Sequence, residues 1–241
     1  MLEDARKIIE KTIADVMPER AVRNSLNELQ LDGNIYIVAV GKAAWVMAQT
    51  ASGFLGEKLK KGLIVTKYGH SRGPLEKFQT IEAGHPTPDE NSVLGARTMI
   101  EFLKGRKKED IVLFLLSGGG SSLLELPMDG LELEDIQQVT KQLLFCGADI
   151  TEINIIRKKL SAVKGGKLSG ILKGQRAYAI ILSDIISERN DMIASGLTYP
   201  DTSTAEDVKR ILEKYKLTPD AKVRKILEYS HPFVDVCVEN H

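Results

Sequence analysis

The sequence predicts an α/β protein, a three-layer α/β/α sandwich around a mostly parallel sheet. Two observations predict it. Short apolar runs rich in β-branched residues, Ile35–Val40 and 111–116 above all, are continuous rather than alternating, which suits strands covered on both faces. Between and after such runs lie segments of about ten or more residues whose apolar positions recur at helical spacing.

Taken in order, Leu2, Ala5, Ile9, Ile13 and Val16 form one stripe of a helix over 2–17, and a second short helix covers 19–29. Asp32-Gly33-Asn34 breaks the pattern ahead of the first strand, Ile35–Val40. Further strands are expected at 62–66, Phe78–Ala83, 111–116 and 177–182. Helices are expected at 43–59, Glu90–Leu103, Leu133–Phe145, 152–163, 204–215 and 219–229, the 204–215 helix opened by a Ser203 or Thr204 cap. This alternation makes the sheet Rossmann-like. The segment 232–238 alternates like a strand and reads as the start of a continuation that is cut short.

Composition narrows the function classes. A chain of 241 residues with 43% hydrophobic and 27% charged residues can bury a core, so a folded single domain is expected rather than a disordered chain. Basic and acidic residues both number 33, so no net field recruits nucleic acid or an anionic membrane surface. Cys146 and Cys237 are far apart and lack partners at ligand spacing, which argues against a disulfide framework or zinc site and favours a buried thiol at Cys146. The amino terminus mixes charges of both signs, unlike a secretory leader, and no window nears the ~20 apolar residues of a membrane span, so a cytoplasmic protein is expected.

Ligands of open α/β sheets bind beyond the carboxyl ends of the strands, so the loops there carry the candidates. The 111–116 strand runs into Ser117-Gly118-Gly119-Gly120-Ser121-Ser122, whose glycines admit close backbone approach and whose hydroxyls can donate to a phosphate or carboxylate. Gly165-Gly166-Lys167 lacks the hydroxyl residue and spacing of a P-loop. Lys42, after the first strand in Gly41-Lys42-Ala43-Ala44, can neutralise charge on a transferring phosphoryl group. Asp184 at the exit of the 177–182 strand is the better candidate for Mg²⁺, with capping of 192–195 the leading role for Asp191. His85, restricted by Pro86, and Arg157 are candidate substrate or phosphate ligands, with a structural turn closed by an Asp89 cap as the plainer account of 84–91. For the basic group Arg157, Lys158, Lys159 and Lys164, a solvated surface is the commoner arrangement.

Five ordered segments carry a family resemblance: 38–44, 84–91, 116–122, Arg157-Lys158-Lys159-Leu160-Ser161 with Lys164-Gly165-Gly166, and Ser183-Asp184 with Ile193-Ala194-Ser195-Gly196. Together they resemble the glycerate 2-kinase family whose second domain is called MOFRL. The resemblance implies an amino-terminal α/β domain over 1–230, a truncated tail over 231–241 and no MOFRL domain. It implies ATP and Mg²⁺ as cofactors, and transfer of phosphate to the 2-hydroxyl of glycerate in a cleft between two domains. By the same resemblance Lys42 matches the lysine regarded as catalytic, 117–122 matches a loop lining the cleft, and Asp184 matches an aspartate of the family motif. Two departures stand out. The family's essential arginine in the MOFRL domain has no counterpart, leaving a homodimer or a separate chain to supply the missing half. Ile185-Ile186-Ser187-Glu188-Arg189-Asn190 replaces a glycine-containing loop, and Leu197 stands where the family favours proline. The alternatives are a catalytically silent product that only binds glycerate or nucleotide, and a phosphosugar-binding domain of isomerase type. No G-x-G-x-x-G follows a strand, which disfavours a nicotinamide enzyme.

Overall fold

The computed structural model describes residues 2–15, 17–172, 174–183, 190–229 and 238–240. Helices α1 (Leu2–Asp15) and α2 (Pro18–Glu28) lead to β1 (Ile35–Val40), α3 (Ala44–Leu55), β2 (Leu59–Lys67), β3 (Phe78–Ala83) and α4 (Glu90–Leu103). Next come β4 (Ile111–Ser117), the single turn α5 (Gly120–Leu123), α6 (Leu133–Phe145), α7 (Ile150–Leu160) and a second single turn, α8 (Ser169–Leu172). β5 (Arg176–Leu182) precedes a 3-10 segment at Asn190–Ser195, followed by α9 (Ala205–Lys214), α10 (Ala221–Glu228) and β6 (Val238–Asn240).

These strands form one sheet in the order β3-β2-β1-β4-β5-β6, every neighbouring pair parallel. The expected α/β class with a parallel, Rossmann-like sheet is therefore the observed one. The order reverses between β1 and β4, and it is at such a switch point that doubly wound sheets open a crevice beyond their carboxyl ends.

Burial on both faces explains the continuous apolar runs. Val38, Val40, Phe114 and Leu116 pack with Met99 and Leu103 of α4, whereas Ile37, Ala39, Leu113 and Leu115 pack with Leu26 of α2 and Met47 of α3. A third apolar cluster unites α6, α7, α9 and α10 through Ile136, Leu143, Ile156, Ile211 and Leu227, and it anchors α7 among these helices.

Several expectations need correction. The helix expected over 43–59 stops at Leu55, where Gly56 turns to φ 53° and donates to the Ser52 carbonyl, leaving Leu59-Lys60-Lys61 to open β2. Ile9, on the expected stripe of α1, is 58% exposed. Cys146 is exposed rather than buried, because it caps the carboxyl end of α6 just past the exposed Phe145. Val238 at the end of the 232–238 run begins β6, which pairs with Ala177–Ala179; residues 230–237, Cys237 included, lie outside the described residues. Thr204, of the two cap candidates, accepts the Asp207 N–H and caps α9. No helix among the described residues is long and apolar enough to cross a membrane.

Phe114 is fully buried in the middle of β4, so Phe114→Ala is expected to destabilise the fold by about 3–5 kcal/mol, read as a lower midpoint of urea unfolding.

Candidate active site

At the switch point the loop after β1 and the loop after β4 are bonded to each other. Lys42 N–H donates to the Gly118 carbonyl at 2.9 Å, and Ala43 N–H to Ser117 Oγ at 3.1 Å. Gly41 adopts φ 132°, and an added Cβ there would run into the Ser117 hydroxyl and carbonyl, so only glycine permits this approach. The Lys42 backbone is thereby fixed while its side chain stays exposed. A Cβ on Gly119 would sit 3.1 Å from His85 Cδ2, 3.1 Å from Lys42 Cγ and 3.2 Å from Lys42 Cε, so the Lys42 stem and the imidazole flank this glycine. Lys42, His85 and the Gly/Ser loop are brought together as the sequence suggested.

His85 stands in a turn with a cis His85–Pro86 peptide, closed by Asp89, whose carboxylate accepts the Ser92 N–H while the Ser92 hydroxyl accepts from Asp89 N–H. Burial, then the positive charges of Lys42 and Lys67, pull the His85 imidazole below its ordinary pKa.

The loop hydroxyls are less free than expected. Ser117 Oγ accepts from Ala43, and Ser122 Oγ donates to the Pro86 carbonyl, tying the loop to the His85 turn. Ser195 Oγ lies 2.8 Å from Ser121 Oγ and 3.0 Å from Asn154 Oδ1. An amide oxygen only accepts, so Ser195 gives Asn154 its one proton and takes one from Ser121.

The basic group is not solvated. Arg157, Lys158, Lys159 and Lys164 are all buried, with Lys164 fully so. Lys158 Nζ meets Asp191 at 3.3 Å and Lys159 Nζ meets Asp201 at 2.9 Å. Glu125, also fully buried, is shared: Lys164 Nζ lies 2.7 Å and Arg157 Nη2 3.6 Å from its Oε2. Burial pushes the Glu125 carboxyl up, but the charges of Lys164 and Arg157 outweigh it and hold its pKa below the ordinary value. Burial likewise pulls the Lys164 ammonium down to about 8, against the pull of Glu125. Arg157 Nη2 also donates to the Ser121 carbonyl at 2.6 Å, which brings this residue to the Gly/Ser loop.

Asp191 lies inside the Asn190–Ser195 segment, and its carboxylate accepts from Lys158 Nζ at 3.3 Å. That ammonium also competes with a metal ion there. Asp184 lies outside the described residues, and among those described no group of three or more His, Cys, Asp or Glu could hold a metal.

A family model described as a domain of unknown function, DUF4147, matches residues 4–228. The chain belongs to the DUF4147 family. This DUF4147 chain is 48% identical over 228 residues to a D-glycerate 2-kinase of Thermotoga maritima, covering 95% of this chain and 54% of that protein. It is 42% identical over 222 residues to a glycerate 2-kinase of Pyrococcus horikoshii, covering 88% and 50%. The crystal structure of a glycerate kinase from Thermotoga maritima superposes with a TM-score of 0.92 at 47% identity, over 98% of this chain and 57% of that one. The DUF4147 chain thus spans about half the length of the relatives it matches.

Sequence reasoning passed over Glu125 and Asn154, and gave Ser195 no role beyond its place in the 193–196 segment. A lone acid inside Leu123-Leu124-Glu125-Leu126 was the available signal, since a carboxylate in so apolar a run needs a buried cation. Nothing local marks Asn154; it is joined to Ser121 through Ser195 by the fold.

Between pH 8 and 10.5 the unfolded chain keeps the Lys164 proton that the folded chain has released, so stability rises with pH across that window. Urea unfolding of wild type and Lys164→Met in this range is expected to give a wild-type slope steeper by about 1.4 kcal/mol per pH unit. Parallel slopes would show that Lys164 stays protonated in the fold.

Proposed function

We propose that this chain is the phosphate- and substrate-holding half of a glycerate 2-kinase, moving the terminal phosphoryl group of ATP to the 2-hydroxyl of glycerate. A MOFRL-type domain, on the same protein, a separate chain or a second copy, would cover the other side of the cleft. One observation carries this reading: the Lys42 stem lies across Gly119 beside His85, at the point where the strand order reverses. The names and close likeness of the relatives support it.

In this reading the polyphosphate lies along Gly118, Gly119 and Gly120, where no Cβ obstructs it. The Lys42 ammonium, on a backbone clamped to Gly118, reaches the charge that builds on the moving phosphoryl group. The substrate oxygen forms its bond to the γ-phosphorus as the bond to the bridging oxygen breaks, and that electron pair leaves with ADP. His85, kept neutral near pH 7 by burial and Lys42, takes the hydroxyl proton. Mg²⁺ would screen phosphate charge, with Asp184 its proposed ligand, and no step here is routed through it.

The test is release of ADP in the presence of glycerate, measured for the chain alone and mixed with a relative's second domain. Lys42→Ala is expected to lower turnover at least about a hundredfold. Equal turnover by the variant would remove Lys42 from the reaction. Saturable glycerate binding with no turnover in either mixture would instead support the silent, binding-only reading.

A further inference from the structure

Resting on the kinase reading, we propose that the cavity beside the Gly/Ser loop seats the carboxylate of the substrate, gripped by Arg157 and Asn154. The cavity measures about 310 Å³, and Gly119, Ser121, His85, Asn154 and Arg157 are among its lining residues. That is the small end of ligand pockets, suited to a small organic acid rather than a whole nucleotide.

The charge arrangement asks for an anion. Arg157 and Lys164 are two buried cations with one carboxylate, Glu125, between them, and Glu125 lies nearer to Lys164. Help does not come from the neighbours, because Asp191 and Asp201 each already pair with a lysine of their own. Lys167 adds positive charge, its Nζ donating to the carbonyls of Lys158 at 2.6 Å and Lys164 at 3.4 Å. Among the described residues, the four cations of these ion pairs and Lys167 thus stand beside three carboxylates, with Arg157 the member that reaches the cavity wall. A buried cation short of a counter-ion is costly, and an anion entering the cavity relieves that cost.

Donors are available as well as charge. Arg157 is 7% exposed, and its Nε has no hydrogen-bond partner among the described residues. A guanidinium fork matches a carboxylate. The Oδ1 of Asn154 takes the Ser195 proton, which fixes the amide, while Nδ2 meets, among the described residues, the Met192 sulfur at 3.8 Å. Both residues line the cavity together with Gly119, against which the Lys42 stem lies, while Lys42 itself is not among the lining residues. In glycerate the 2-hydroxyl is borne on the carbon next to the carboxylate and the 3-hydroxyl on the carbon beyond. Seating the carboxylate here therefore sets which hydroxyl meets the phosphate at the glycines, and Arg157 and Asn154 become residues that determine specificity.

Calorimetric titration of the full chain with glycerate, lactate, propionate and glycerol, and separately with ATP, tests the proposal. Wild type is expected to bind the three acids and to bind glycerol, which lacks the carboxylate, at least about thirtyfold more weakly than glycerate. Asn154→Asp keeps the side chain's shape and the Ser195 bond but adds a negative charge to the cavity. It is expected to weaken the acids about thirtyfold and ATP by less, because the acid carboxylate meets the new charge directly, and Arg157→Lys, which loses the fork, to weaken the acids in the same direction. Should Arg157→Lys fail to fold, Asn154→Asp still decides. Wild type binding glycerol as well as glycerate, or Asn154→Asp binding acids as wild type does, would overturn the carboxylate site. Acid binding of the expected pattern without ADP release, even when a relative's second domain is added, would keep the site and sink the kinase reading; turnover in that mixture with an unchanged KM for glycerate in Asn154→Asp would do the reverse.

Discussion

One buried carboxylate, Glu125, ties the candidate site together. It stands two residues past α5, so its position is that of the Gly/Ser loop, and its oxygen meets Lys164 and Arg157 from the far end of α7 and the turn beyond. Without it those two cations would face each other in an apolar interior. Replacing such a buried ionic group by well-packed apolar residues is often neutral or stabilising in other proteins, so the group is poorly explained as a source of stability. Placement explains it better: the loop from β4 and the last turn of α7 are fixed to one another, and Arg157 is carried to the Ser121 carbonyl.

The opposite wall is built by backbone. The bonds from Lys42 N–H to Gly118 and from Ala43 N–H to Ser117 hold two strand exits at the spacing that the parallel sheet sets, and Thr66 Oγ1 adds a bond to the Gly41 carbonyl at 2.9 Å. Rigid main chain under an exposed ammonium is a useful combination. The charge can follow a moving phosphoryl group while its anchor stays put. On the side of Arg157 the order is inverted, with side chains buried and locked, as recognition of a fixed group requires.

How much of this was legible follows from what each signal depends on. The strands were readable because burial on both faces leaves a continuous apolar run, and Glu90–Leu103 and Leu133–Phe145 because their caps and periodicity are local. Glycine 56 ended a helix that periodicity alone carried on to residue 59. Lys42 and the glycine loop were visible since chemistry at strand exits is a property of the fold class. The basic run was misjudged for a physical reason: lysines are usually exposed, and the carboxylates that bury these four come from residues 125, 191 and 201. Pairing across such separations leaves no local trace. Cys146 erred oppositely, a type usually buried standing at an open helix end.

The two walls differ in what they need from the rest of a cleft. A carboxylate can be held by groups that are already buried, and Arg157, Asn154 and Glu125 are buried without any further domain. Phosphoryl transfer asks for more, because charge stabilisation weakens steeply where water has access, and the Lys42 side chain is exposed. In the proposed reading, substrate recognition therefore resides in this chain, while turnover depends on whatever covers Lys42. The relatives, about twice as long, have room for such a cover. Binding and catalysis should accordingly separate between the two halves of the cleft, with the sheet's switch point as the seam.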